Sequence, residues 1–189
     1  NENGDEIQAE SVVKTADTQV GTQYTATKPT EITKDNLVYT FKNLKQGSAP
    51  ENGRVSTNEQ VVTYVYEAKK GGTVTAKYMA GNTEIKASSI VAQNQQIGKE
   101  YSSQPPAEIT KNNLKYVLAS PVLANNSAPQ SGRVTENAQT IIYNYVIKKG
   151  GTVTVHYQNE SGVNIQNSFV LSPTDTQVGT DYRLQANNK

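Results

Sequence analysis

The chain has 189 residues, long enough for one to three compact domains at roughly 100–200 residues each. Leu, Ile, Val and Phe together number 38, too thin a supply for one large core, so several small modules are expected. With 18 basic and 17 acidic residues the charge is only +1, against the clustered positive charge of a nucleic-acid binder; the lack of cysteine excludes disulfides, a thiol nucleophile and cysteine-ligated metal.

In chain order, the first landmarks are an Asn3-Gly4 turn signal and the signature Val20-Gly21-x-x-Tyr24. Glu31-Ile32-Thr33-Lys34 follows, then Ser48-Ala49-Pro50 and a second turn signal at Asn52-Gly53, just before Arg54 and Val55. Val61–Tyr66 reads as a strand: Val62, Tyr64 and Tyr66 share one face, and Val61, Thr63 and Val65 the other. A short joint, Lys69-Lys70-Gly71-Gly72, leads to another alternating run in which Val74, Ala76 and Tyr78 lie opposite Lys77.

From there the chain repeats itself. Gly71-Gly72-Thr73-Val74-Thr75 returns as Gly150-Gly151-Thr152-Val153-Thr154, 79 residues on. At the same offset Ser48-Ala49-Pro50 returns as Ser127-Ala128-Pro129, and Gly53-Arg54-Val55 as Gly132-Arg133-Val134. Glu31–Lys34 returns as Glu108–Lys111 after 77 residues, and the first signature recurs as Ile97-Gly98-x-x-Tyr101 and Val178-Gly179-x-x-Tyr182. Ile141, Tyr143 and Tyr145 replace Val62, Tyr64 and Tyr66, so this face, large and apolar in both copies, is expected to line the core. Val153, Val155 and Tyr157 likewise replace Val74, Ala76 and Tyr78, with His156 on the other side. Ser131-Gly132 and Ser161-Gly162 add turn signals, and no helical apolar spacing persists for three turns.

The matches divide the chain into three. Residues 1–68 form a repeat without its first strand, since Asn1 aligns with Asn159; residues 71–147 form a complete repeat; residues 150–189 form the first half of a third. The third piece is too short to bury a core alone and is expected to lean on the second repeat. The frame leaves open whether Thr73–Tyr78 closes its own repeat or completes residues 1–68. Four-residue joints are too short for free tethers, so the expected architecture is mostly β: small tandem modules in an elongated head-to-tail rod. The expected state is a monomer, a mature or excised piece of a longer array, with no segment long and apolar enough to insert in a membrane.

Several of these motifs are familiar together. Gly-Gly-Thr-Val-Thr-Val-x-Tyr, the turn at Asn159–Gly162, Gln177-Val178-Gly179-x-x-Tyr182 and the closing Val61–Tyr66 strand resemble the MucBP (mucin-binding protein) repeat of Gram-positive surface adhesins. The middle segment departs from that pattern, showing Asp35-Asn36-Leu37-Val38-Tyr39 where the family often has Pro-Gly-Tyr. The resemblance implies a β-grasp or ubiquitin-like module, an extracellular place on the bacterial surface with wall anchoring outside this segment, and host mucin or glycoprotein glycans as partners.

The residues that carry chemistry point the same way. His156 is the single histidine and its counterpart is Lys77, which suits neither a triad nor a zinc site. Paired carboxylates for glycoside cleavage are missing, since only Glu31/Glu108 is acidic in both copies while Asp17 and Asp175 face Asn94 and Glu59 faces Ala138. No catalytic, metal or cofactor site is therefore expected, and no enzyme. Arg54 and Arg133 recur beside the Ser-Ala-Pro loops, placed either to grip a sialic acid carboxylate or sulfate with two hydrogen bonds or to cap the strand that follows. Lys34/Lys111, Lys69/Lys148 and Lys70/Lys149 recur, as does Asn36/Asn113, so a Lys–Asn isopeptide staple is one reading, with Lys34 and Lys111 its foremost candidates; Glu31-x-x-Lys34 is equally a solvated surface pair. Two functions fit: adhesion through repeated weak glycan sites, or a stalk that projects another binding domain.

Overall fold

The computed structural model describes residues 1–184, and the regular structure among them is entirely β. The first repeat contributes β1 (Gln23–Thr25), β2 (Glu31–Lys34), β3 (Leu37–Leu44), β4 (Asn52–Arg54) and β5 (Tyr64–Ala68). The second contributes β6 (Val74–Ala80), β7 (Thr83–Ala92), β8 (Glu100–Ser102), β9 (Glu108–Lys111), β10 (Leu114–Leu123), β11 (Ser131–Arg133) and β12 (Gln139–Ile147). β13 (Val153–Gln158) and β14 (Asn164–Ser172) form the third piece.

Each full set of strands makes one sheet and one small ribbon. In the first repeat the sheet runs β2-β3-β5 and the ribbon pairs β1 with β4; in the second the sheet runs β7-β6-β12-β10-β9 and the ribbon pairs β8 with β11. β13 and β14 pair only with each other. The hairpin loops Asp35-Asn36 and Asn112-Asn113 both have positive φ at each residue, from 51° to 66°, the backbone that Asx side chains tolerate and that a tight two-residue turn demands. Asn1 and Asn159 build a matching pair of turns, each accepting two backbone N–H bonds on Oδ1.

The chain packs as two compact units whose borders differ from those of the repeats. One holds Asn1–Val74, Ala92–Ser102 and Ser131–Gln139; the other holds Thr75–Val91, Ser103–Gln130 and Thr140 onward. The ribbon of the second repeat is thus counted with the first repeat's residues.

In the second repeat the expected core face is the buried one. Ile141, Tyr143 and Tyr145 are 0%, 0% and 2% exposed, and Val74, Ala76 and Tyr78 lie beside them at 0%, 0% and 4%. The Tyr78 and Tyr143 rings stack with centroids 5.8 Å apart. β6, which holds Val74, Ala76 and Tyr78, lies between β7 and β12 in the sheet.

Two local readings are corrected. The strand expected at Val61–Tyr66 begins only at Tyr64, four residues short of the aligned start of β12 at Gln139. The reason is a partner: β12 has β6 along one edge, whereas no described strand pairs with that edge of β5, where the Glu2 amide donates to the Tyr66 carbonyl, 3.0 Å away. Asn52-Gly53 and Ser131-Gly132 are not turns but strand residues, with Gly53 paired to Tyr24 and Gly132 to Tyr101 across their ribbons. The tyrosine ring explains the first of these glycines, because a Cβ at Gly53 would come within 2.7 Å of the Tyr24 hydroxyl.

Candidate functional site

The two recurrent arginines occupy equivalent places on the ribbons. Arg54 ends β4 and donates through NH1 to the carbonyl of Gly21, 2.7 Å away; Arg133 ends β11 and donates to the carbonyl of Gly98 at 2.8 Å. Each arginine thus ties its ribbon to the Val/Ile-Gly turn that precedes it. Both side chains are exposed, but their second nitrogens differ. NH2 of Arg133 forms an ion pair with Glu100 at 2.7 Å, while the position aligned with Glu100 in the first repeat is the uncharged Gln23. Arg54 therefore has no acidic neighbour at that place and is the better prepared of the two to meet an external anion.

The most fully duplicated geometry lies at the joints. Val38 N–H donates to the Ile97 carbonyl, Ile97 N–H to Lys69 and Lys69 N–H to Val38, so Ile97 sits between the start of β3 and the joint. Gln96 Nε2 adds a bond to the Val38 carbonyl at 2.8 Å. The same set recurs between Lys115, Lys148 and Val178, with Gln177 Nε2 on the Lys115 carbonyl at 3.0 Å. Gly98 and Gly179, with φ of 91° and 97°, lie so close to the carbonyls of Asn36 and Asn113 that a Cβ at either would overlap them. Gln177 and Val178 of the third piece thus bond to Lys115 and Lys148 of the second repeat.

Charge reinforces both joints. Glu31 pairs with Lys69 at 2.6 Å and Glu108 pairs with Lys148, so the carboxylate kept in both copies serves the joint. Lys69 also pairs with Glu136 at 2.9 Å, and these two carboxylates hold its ammonium above the ordinary lysine range. Lys148 and Lys115 together lower the Glu108 carboxyl from its ordinary value.

The remaining sequence candidates are placed as follows. Lys34 and Lys111 donate their ammonium hydrogens to the main-chain carbonyls of Glu6 and Glu84. His156 is exposed on β13, its Nδ1 2.7 Å from the Ser168 hydroxyl. A shallow hollow at the first sheet is lined by Lys28, Pro29, Thr30, Thr40 and Phe41, with the Lys28 ammonium 4.3 Å from the Phe41 ring centroid and ion-paired to Glu51. Among the described residues no group of three or more His, Asp or Glu side chains is arranged to hold a metal.

A family-level comparison decides what kind of repeat this is. The MucBP domain matches residues 1–67, 73–146 and 152–188. The chain belongs to the MucBP family. It is a repeat module of the cell-surface adhesin type. Internalin I of Listeria monocytogenes serotype 4b is 34% identical over 122 residues, which is 62% of this chain and 6% of that protein. Internalin I of serovar 1/2a gives the same identity and coverage, so the chain spans only a small part of these relatives. Among solved structures, Streptococcal High Identity Repeats in Tandem (SHIRT) domains 3-4 from a cell surface protein align with a TM-score of 0.32 and 14% identity. That alignment covers 70% of this chain and 81% of the other.

In these MucBP repeats, the functional weight of the glutamine before the Val/Ile-Gly turn was not read from the sequence. Its signal was present, because Gln19, Gln96 and Gln177 all precede that dipeptide. Ser48 and Ser127 were read only as loop residues, yet each Oγ accepts a backbone N–H, from Thr63 at 2.6 Å and Ile142 at 2.8 Å. These side chains fasten the long loop to the closing strand.

Proposed function

We propose that this chain is a non-enzymatic adhesion module that binds host mucin or a related glycoprotein through weak sites repeated along it. The observation that carries the reading is the exposed arginine placed identically on both ribbons of a MucBP chain. The Arg54 guanidinium, fixed by one hydrogen bond to the Gly21 carbonyl and without the carboxylate that pairs with Arg133, suits a sialic acid carboxylate or a sulfate, which many mucin glycans carry. Each contact is weak alone; linked repeats raise apparent affinity by about 10²–10⁴ without new contacts. The chain would work outside the cell, on the bacterial surface, held to the wall by regions outside this segment.

The test is retention of the whole chain on immobilised mucin before and after enzymatic removal of sialic acid and sulfate. Retention that falls on removal supports the reading, and Arg54→Ala should weaken it more than Arg133→Ala, because Glu100 already engages Arg133. Absence of retention on untreated mucin supports a second reading, a stalk that spaces another binding domain. The duplicated hydrogen bonds at the joints favour that alternative, since the same backbone and glutamine contacts recur at both.

A further inference from the structure

The arginine on each ribbon faces one particular residue, and that residue differs between the repeats. In the register of the first ribbon Arg54 lies opposite Gln23 and Asn52 opposite Thr25; in the second, Arg133 lies opposite Glu100 and Ser131 opposite Ser102. Residues directly opposite on one face of an antiparallel pair have Cβ atoms about 4.5–5.5 Å apart, so the ladder itself brings each pair together. Tyr24 and Tyr101, between these positions, are buried, which turns both pairs of each ribbon towards solvent. In the second ribbon each pair is closed on itself. Arg133 NH2 pairs with Glu100 at 2.7 Å, and the Ser131 hydroxyl donates to that of Ser102 at 3.0 Å. The Arg133 and Glu100 side chains still stand 45% and 74% exposed, within reach of a ligand. In the first ribbon neither Arg54 with Gln23 nor Asn52 with Thr25 can form an ion pair, because three of the four are neutral.

A guanidinium grips a carboxylate or sulfate through two parallel N–H bonds, either from its two terminal nitrogens or from Nε and NH2. NH2 belongs to both arrangements. Glu100 therefore occupies one of them at Arg133 and sets its negative charge beside the other. Gln23 instead offers Arg54 a neutral amide, which can meet a sugar hydroxyl without repelling an anion. We propose that the residue facing the ribbon arginine decides whether a repeat takes an anionic glycan. Gln23 leaves Arg54 receptive, and Glu100 is a built-in counterion that competes with any external anion for Arg133. The inference rests on the glycan-binding reading above and adds its specificity-determining position. Neighbouring repeats are then unequal sites, set by one side chain on each ribbon.

The test titrates the whole isotope-labelled chain with sialyllactose and with sulfated lactose, following the side-chain N–H signals of Arg54 and Arg133 by NMR; plain lactose is the neutral control. Arg54 should respond to an anionic sugar at lower concentration than Arg133, and neither should respond to lactose. A response to sialyllactose alone, or to the sulfated sugar alone, supports the proposal and names the anion. Glu100→Gln should tighten binding at Arg133 by roughly two- to fivefold, as expected for release of an exposed ion pair, and Gln23→Glu should weaken binding at Arg54 by a similar factor. Both substitutions are nearly isosteric and lie on exposed positions, so the ribbons stay formed. Glu160→Gln makes the same change in net charge at the Asn159 turn and should move neither arginine; an effect equal to that of Glu100→Gln would overturn the proposal. Binding at Arg54 that Gln23→Glu leaves unchanged, with no gain at Arg133 from Glu100→Gln, would overturn it too and leave the adhesion reading standing. No response of Arg54 to either anionic sugar would overturn both.

Discussion

The sheets of the first and second repeats differ by one hairpin, and the difference shows what holds a MucBP repeat together. Both place tyrosines at aligned positions, and both bond the second of them to a proline carbonyl: Tyr66 to Pro29 at 2.7 Å and Tyr145 to Pro106 at 2.6 Å. With β6 and β7 present, Tyr143 is fully buried and stacked on Tyr78. Without an equivalent hairpin, Tyr64 is half-buried and meets Phe41 edge-on at 6.1 Å, under the Lys28 ammonium. The closing strand is therefore shaped by its neighbour as much as by its own alternation.

The largest expected effect tests this contrast. Tyr143→Ala should cost about 3–5 kcal/mol in urea unfolding, as for a large ring removed from a closed core. Tyr64→Ala should cost no more than about 2 kcal/mol, because its ring is already partly in water; equal costs would erase the distinction. A second contrast uses one glycine in two settings. Gly21→Ala meets open space and should cost only the roughly 1–2 kcal/mol of a left-handed backbone, whereas Gly98→Ala meets the Asn36 carbonyl as well and should lower the melting temperature clearly more. Smaller effects should separate two neighbouring hydroxyls. Tyr145→Phe loses the Pro106 bond and should cost about 1 kcal/mol, while Tyr143→Phe removes a buried hydroxyl without a hydrogen-bond partner and should be neutral or slightly stabilising.

The pH responses of the second sheet should be the mildest signals. Burial pushes the Tyr145 phenol from 10.0 up to about 12, so the stability it contributes is full below pH 10 and is lost as pH rises towards 12. Tyr145→Phe should flatten that alkaline loss in a titration followed by circular dichroism. Glu108 works in the opposite sense: its carboxyl is lowered by Lys148 and Lys115, so its contribution is present above pH 4.5 and fades as pH falls through the folded value. An intact mass equal to that of the sequence would match Lys34 and Lys111 as hydrogen-bond donors, whereas loss of one ammonia per bond would mark isopeptide staples.

The alternation of Val62, Tyr64 and Tyr66 and its copy in Ile141, Tyr143 and Tyr145 made the core face legible, because burying one side of a strand leaves a two-residue period. Asn52-Gly53 misled for a specific reason. A glycine required by a tyrosine ring across a ribbon looks the same, in one dimension, as a glycine required by a turn. Arg54 and Arg133 were found as recurrent residues, but their Gly21 and Gly98 acceptors lie more than thirty residues away in the chain, beyond any local pattern. The joint was seen as short; its hydrogen bonds were not, since main-chain acceptors leave no mark on residue type.

Those joints have a bearing on survival in a protease-rich setting. Lys69-Lys70 and Lys148-Lys149 are the paired basic residues at which trypsin-like enzymes cut readily, and such enzymes need their target in an extended, unpaired form. Here the Lys69 and Lys148 amides and carbonyls are all engaged, and Gly71 and Gly150 donate onward to Gln95 and Thr176. Digestion should therefore spare both doublets for as long as Ile97 and Val178 stay seated.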